Sequence, residues 1–291
     1  MNRIKNFIKR HVYRSVRLLS RNRFIVYVIR FVFKITFSVS NYFAEIINQY
    51  DERQIISRLA GKISDDRTVI QGPFIGQKFA RTESVGSAYL PKLLGTYESE
   101  IFPVWTEIQN QDFSVILDIG CAEGFYACAL AKMFPASKVL GFDLDANARD
   151  YSIENAKANG LNNVSIHGAC DPDLIDNSCR GEKAFILCDI EGAEKALFSA
   201  VSVESLKDTH MVIELHDGVD RSISSTLKSK FVTTHDISSF FSTDDIHRPA
   251  LMASYNQMDL SDDDFYLAMR EKRGHIMEWI YLKPKILLDP R

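Results

Sequence analysis

The chain has 291 residues, 46% of them hydrophobic and 25% charged, with 14 Gly and 8 Pro, which is the composition of a folded globular protein and excludes a disordered, collagenous or coiled-coil chain. Its net charge of −3 hides an asymmetry, because residues 1–50 hold ten of the 35 Lys and Arg but one acid, Glu45. A basic arm of +9 therefore precedes an acidic body of −12, and an acidic body is a poor binder of nucleic acid.

Ile4, Phe7, Ile8, Val12, Val16 and Leu19 recur at three- and four-residue steps with Arg and Lys between them, which predicts a basic amphipathic helix. The apolar run Phe24 to Phe37 follows, but it carries Arg30 and Lys34 and falls short of the roughly 20 residues of a spanning helix. Phe-rich faces flanked by basic residues suit an anionic membrane surface, contacted through residues 1–40. Packing on the body, or on a second copy as a homodimer, is the alternative. The Arg-rich, acid-poor start also resembles an organelle transit peptide, whereas a secretory signal is not expected.

A helical period continues to Gly61, placed where a C-cap glycine would sit, so residues 1–61 are expected to form a helical arm. Residues 62–96 read as a connector containing a hairpin around Gly72-Pro73 and Gly76. Thr96 is expected to cap a helix running to about Gln109, which opens a domain over 97–291. From Ser114 onward short apolar runs alternate with helical stretches, the pattern of a mainly parallel sheet covered on both faces. Seven strands are predicted: 114–119, 138–142, 163–167, 184–188, 210–215, 231–235 and 275–282, the last antiparallel and inserted beside its neighbour. A short helix is expected over 261–273. The five cysteines stand singly with no Cys-x-x-Cys pair, which suits a reducing, cytoplasmic compartment, peripheral to a membrane if the arm binds one, and argues against a zinc site.

The strongest local signal is Val115-Ile-Leu-Asp-Ile-Gly-Cys-Ala-Glu-Gly-Phe-Tyr126, a strand, a turn of small residues and a helix start. A ligand can approach the backbone at Gly120, Ala122 and Gly124, and a helix amino terminus offers free N–H groups. A dinucleotide fingerprint would need a glycine at Phe125, so the spacing is too short for one. The next strand ends in Asp143, where a carboxylate can accept both hydroxyls of a ribose.

This combination resembles the class I S-adenosylmethionine-dependent methyltransferases over about residues 97–284. Leu187-Cys-Asp-Ile-Glu-Gly-Ala-Glu194 and Val212-Ile-Glu-Leu-His216, with Tyr97-Glu98 before the first strand, resemble the FkbM-type members. Two departures stand out: Cys121-Ala122 replaces the family's usual Ala-Asn, and Asp143 replaces its Glu. The resemblance implies a seven-stranded Rossmann-like α/β sheet and S-adenosylmethionine as cofactor. It places Asp118 on the turn and the cofactor's ammonium, and Gly120, Ala122 and Gly124 against its carboxylate and ribose. Asp143 would take the ribose hydroxyls, Leu144 would border the adenine, and the stretch Ala169 to Asp171 would meet the adenine edge.

The acceptor is expected beyond Asp189 and Glu191, at the carboxyl ends of the strands. No Asn-Pro-Pro-Tyr motif for planar amino groups is present, and Cys188 follows Leu187 as a core residue, not as a Pro-Cys nucleophile. Carboxylates with an imidazole suit a hydroxyl, which attacks well only as its proton leaves. His216 is the candidate base, with Glu214 and Asp217 beside it, while His167 and His275 read as structural. Asp189, Glu191, Glu214 and Asp217 could hold a divalent cation, but acids at strand ends are common without one, and no metal ligand is assigned. The resemblance thus points to O-methylation of a sugar, glycan or lipid-linked precursor. A polyketide or other secondary metabolite, a non-catalytic cofactor-binding module and a nucleic-acid methyltransferase using the basic arm are the alternatives.

Overall fold

A computed structural model describes residues 23–256 and 260–285. The amphipathic helix expected over residues 4–19 lies outside them. The chain divides into two compact units, Met1–Ile55 and Ile56–Arg291. The described part of the first unit is helical throughout, belonging to α1, Arg23–Ile63. Gly61 lies inside α1 and does not end it, a correction: two further residues keep helical geometry, because the roughly 1 kcal/mol that glycine costs inside a helix is not enough to stop one.

In the second unit, Thr68 and Lys78 form a single antiparallel bridge, so the expected hairpin is a loop closed by one pair. Helix α2, Tyr89–Leu94, ends at Gly95, whose φ of 81° closes the helix in the left-handed conformation. The helix expected from Thr96 starts later than predicted. Glu98 takes a left-handed turn, a 3-10 turn spans Ser99–Ile101, and α3 runs Phe102–Ile108 with Pro103 in its first turn.

The body then alternates as expected: β1 Val115–Ile119, α4 Phe125–Met133, β2 Lys138–Phe142, α5 Ala146–Ala158, β3 Val164–His167, α6 Pro172–Cys179 and β4 Ala184–Cys188. It continues through α7 Glu194–Ala200, α8 Val203–Leu206, β5 His210–Leu215, α9 Ile223–Phe231, β6 His235–Phe241, α10 Arg248–Leu251, α11 Asp262–Met269 and β7 Glu278–Pro284. Side chains start several of these helices: Asp145 accepts from the Asn147 amide, Asp171 from Leu174, and Ser261 from Asp264.

The sheet order is β3-β2-β1-β4-β5-β7-β6, with β7 antiparallel between β5 and β6. This is the seven-stranded, mostly parallel α/β sheet that the sequence led us to expect. The central strands β1 and β4 are buried at every position, as parallel strands covered by helices on both faces must be. The sixth strand is a correction. Residues 231–234 finish α9 and turn, with Phe231 fully buried beneath the sheet, and the strand starts where the sequence reading ended it. The strand order reverses between β1 and β4, which leaves a crevice at their carboxyl ends.

Candidate functional site

A cavity of about 830 Å³ opens at that crevice, toward the upper end of the roughly 300–1,000 Å³ common for ligand pockets. One end is formed by the turn after β1 and the ends of β2 and β3. Gly120, Ala122, Asp143, Leu144 and Ala169 line it. Gly120 has φ 86°, and a Cβ there would stand 1.7 Å from the Asp189 carbonyl oxygen, so the turn after β1 fits against the loop after β4 only without a side chain. Ala122 holds φ 46°, a left-handed position a non-glycine residue adopts at some cost.

Asp143 is half-buried. Its Oδ2 accepts the Ala122 amide at 2.8 Å and its Oδ1 the Asp145 amide at 2.8 Å, so the carboxylate is fixed in the cavity wall while each oxygen keeps capacity to accept a further hydrogen bond. Leu144 is 82% exposed and offers a bare apolar wall. Asp118, Gly124 and Asp171 stand behind this surface. Asp118 is wholly buried below the turn, and the Ala127 amide approaches it without the geometry of a full hydrogen bond. Burial pushes its pKa up to about 7, the Ala127 amide pulling the other way and Asp143 adding to the rise. Gly124 lets α4 start tightly against Ser152 of α5, and Asp171 caps α6.

The other end of the cavity gathers Asp189, Glu191, Glu214 and His216 from the ends of β4 and β5. The His216 Nδ1 donates to Glu194 Oε1 at 2.8 Å; Glu194 is fully buried and is itself held by the Gly192 amide. This fixes Nε2 toward the cavity, where Glu191 Oε2 lies at 3.4 Å, Asp189 Oδ1 at 3.6 Å and Glu214 Oε2 at 3.9 Å. Burial alone would lower the His216 pKa, but the hydrogen bond and charge of Glu194, with Glu214 and Glu191, more than offset it and raise it. Burial raises the pKa of both Asp189 and Glu214; the charges of Glu98 and Glu191 add to the rise at Asp189 and those of Asp189 and Glu98 to the rise at Glu214, while a hydrogen bond with Glu214 lowers the first and Arg273 lowers both.

Asp189, Glu214 and His216 present ligand atoms within 4.8 Å of one another, close enough to hold a divalent cation. Asp217, expected beside His216, instead caps α9 through the Ser224 amide at 2.9 Å and hydroxyl at 2.6 Å.

Several wall residues escaped the sequence reading. Arg273 is clamped by Glu214, Glu98 and Glu271. Lys92 is buried and paired with Glu123, with its ammonium 4.7 Å from the centre of the Tyr97 ring. His275, read as structural, lines the cavity, while His167 sits beside Ser165. Glu194 was visible in the sequence within the motif ending at that residue. Arg273 and Lys92 lie far along the chain from the strands they serve and carry no local signal. Cys188 is fully buried, and the five cysteines are free thiols.

The fold and cavity define an α/β protein with a Rossmann-like sheet whose ligand crevice lies at the switch point. Residues 111–178, which carry the turn and Asp143, match the family model described as a methyltransferase domain. The chain is 38% identical over 77 residues to a ribosomal protein L11 methyltransferase of Caldanaerobacter subterraneus subsp. tengcongensis, a stretch covering 26% of this chain and 23% of that protein. It is 26% identical over 128 residues to an uncharacterized protein of Rickettsia prowazekii, covering 44% of this chain and 21% of that one. The chain therefore matches less than a quarter of the length of these curated relatives. Among solved structures, a putative O-methyltransferase of Klebsiella pneumoniae superposes with TM-score 0.43 at 9% identity, covering 79% of this chain and 90% of that one. An rRNA methylase of Streptococcus thermophilus superposes with TM-score 0.40 at 11% identity, covering 60% and 89%.

Proposed function

We propose that the chain is an S-adenosylmethionine-dependent methyltransferase of the FkbM type that methylates a hydroxyl group on a sugar, glycan or lipid-linked precursor. The observation that carries this reading is a single cavity holding both a fixed, ribose-competent carboxylate, Asp143, and a histidine base aimed inward by a buried acid. The cofactor fits the first end. Asp143 can accept from vicinal hydroxyls, Leu144 and Ala169 offer apolar flanks for a purine, and the small residues of the turn leave the backbone open to a carboxylate. When bound, the cofactor supplies an electrophilic methyl group on a sulfonium.

The residues of the chain then have two tasks. Asp143 and the turn would hold the donor at the first end of the cavity, where it would supply its methyl group to an acceptor held at the other end. His216 Nε2 takes the proton of the acceptor hydroxyl as the new O–C bond forms, and the Glu194 carboxylate stabilises the resulting imidazolium. The carboxyl groups at the acceptor end, Asp189, Glu191 and Glu214, can exchange hydrogen bonds with the hydroxyls of a neutral polyhydroxyl acceptor.

Calorimetric titration with S-adenosylmethionine and S-adenosylhomocysteine, beside an Asp143→Ala variant, tests the reading. Micromolar binding that the substitution abolishes is the expected result. A folded protein that binds neither molecule would overturn it.

A further inference from the structure

The first unit of the chain presents a surface that the cavity does not account for. Along α1, Tyr27, Phe31, Ile35, Val39, Tyr42 and Ile46 follow one another at steps of four and three residues, and Tyr50 closes the series. Such steps place them on one face of a helix. All seven are exposed, between 44% and 68%. Phe43 and Ile47, 58% and 57% exposed, widen the stripe to a little over half the circumference. This is broader than the two-position seam of a coiled coil. The face runs about 35 Å at 1.5 Å per residue, and a contiguous apolar surface of this size marks an interaction site.

Charge says what covers it. All ten Lys and Arg of the first 50 residues precede the first acid, Glu45. A second copy would bring two such segments together without acids to match them. A nucleic acid would match the charge and could stack on the rings, but it would leave the aliphatic Ile35, Val39, Ile46 and Ile47 among those rings uncovered. An anionic lipid surface answers both features, taking the apolar and aromatic face at the acyl boundary and the basic residues at the headgroups. None of the described helices is long and apolar enough to cross a membrane, as befits a helix lying in the interface plane.

We infer that the Tyr27–Tyr50 face of α1 binds the surface of a bilayer containing anionic lipid. The inference stands apart from the methyl-transfer reading.

Vesicle flotation of the full chain tests it, using phosphatidylcholine vesicles with and without phosphatidylglycerol. One variant carries Phe31→Gln, Ile35→Gln and Ile46→Gln, and a second carries Lys9→Gln, Arg10→Gln and Arg14→Gln. Circular dichroism and the cofactor titration on each variant check that the helix and the cavity are intact. The expected result is flotation with the anionic vesicles alone, weakened at high salt, with partitioning reduced tenfold or more by either variant. Three outcomes would overturn the inference: no flotation of the unsubstituted chain with anionic vesicles, flotation that survives the apolar-face substitutions, or a lipid-free dimer that those substitutions dissociate.

Discussion

The His216 imidazole faces Asp189, Glu191 and Glu214 and leans on Glu194, and the Arg273 cation, held by Glu214, lies beyond them. Its raised pKa means that the ring keeps its proton above the usual histidine value of about 6.5. A protonated ring cannot act as a base, so turnover should rise with pH through a limb displaced to the alkaline side of that value. Glu194→Gln removes an interaction that raises the pKa and leaves the burial that lowers it, so the limb should move to lower pH. A pH–rate profile of the two proteins checks this, and a limb that stays in place refutes the pairing. His216→Asn should lower turnover roughly 10²- to 10⁴-fold while cofactor affinity is retained.

Asp118 supports a stability prediction of the opposite kind. Its folded pKa of about 7 lies above the unfolded value of about 3.9. Across that window the unfolded chain has released a proton that the folded chain still holds, so stability falls as pH rises from about 4 to about 7 and is flat above. The full penalty is about 4 kcal/mol. Asp118→Asn should therefore change the melting temperature little at pH 4 and raise it at pH 8. Equal shifts at both values would show that the carboxyl is not protonated in the fold.

At the scale of elements, the body was legible because β1, β2, β4 and β5 are short apolar runs buried on both faces and separated by helices. The turn and Asp143 were legible because a strand–turn–helix unit keeps its chemistry within one local segment. β6 was misread for a physical reason. It is an edge strand paired only with β7, and Ser238, Ser239 and Phe241 along it are exposed, so apolar alternation is weak. Phe231, which looked like its start, is the buried last residue of α9. Arg273 escaped because it reaches Glu214 across the fold, where spacing along the chain is uninformative; Glu194 stood within the quoted motif, but only the fold pairs it with His216. Gly120→Ala tests how the two loops share the cavity: a methyl group at 1.7 Å from the Asp189 carbonyl forces them apart. Cofactor binding and turnover should both be lost, because the donor turn and the acceptor acids are displaced together, whereas Ala122→Gly should leave binding intact and relieve strain of about 1 kcal/mol.

Within the second unit, the acceptor wall is held by a buried ion network that joins segments far apart in the chain. Arg248 is fully buried and grips both oxygens of Glu271, at 2.7 and 2.9 Å, while its Nη2 also reaches the Thr243 carbonyl. Glu271 in turn accepts the Glu98 amide at 2.8 Å and Arg273 at 3.0 Å, and Arg273 contacts Glu214 at the cavity. The segment between β6 and β7 is thereby tied to the residues preceding α3, and through them to the acids near His216. Arg248→Met takes away the cation beside buried Glu100 and leaves Glu271 with Arg273 alone, and should cost about 3–5 kcal/mol. Adding Glu271→Gln removes one of the two acids that then share too little positive charge and should recover part of that loss, which additive single effects would not give. Thermal melts of the two single variants and the double variant measure the coupling. Turnover should fall further in Arg248→Met than cofactor affinity does, because Asp143 and the donor turn lie on the far side of the cavity from the network.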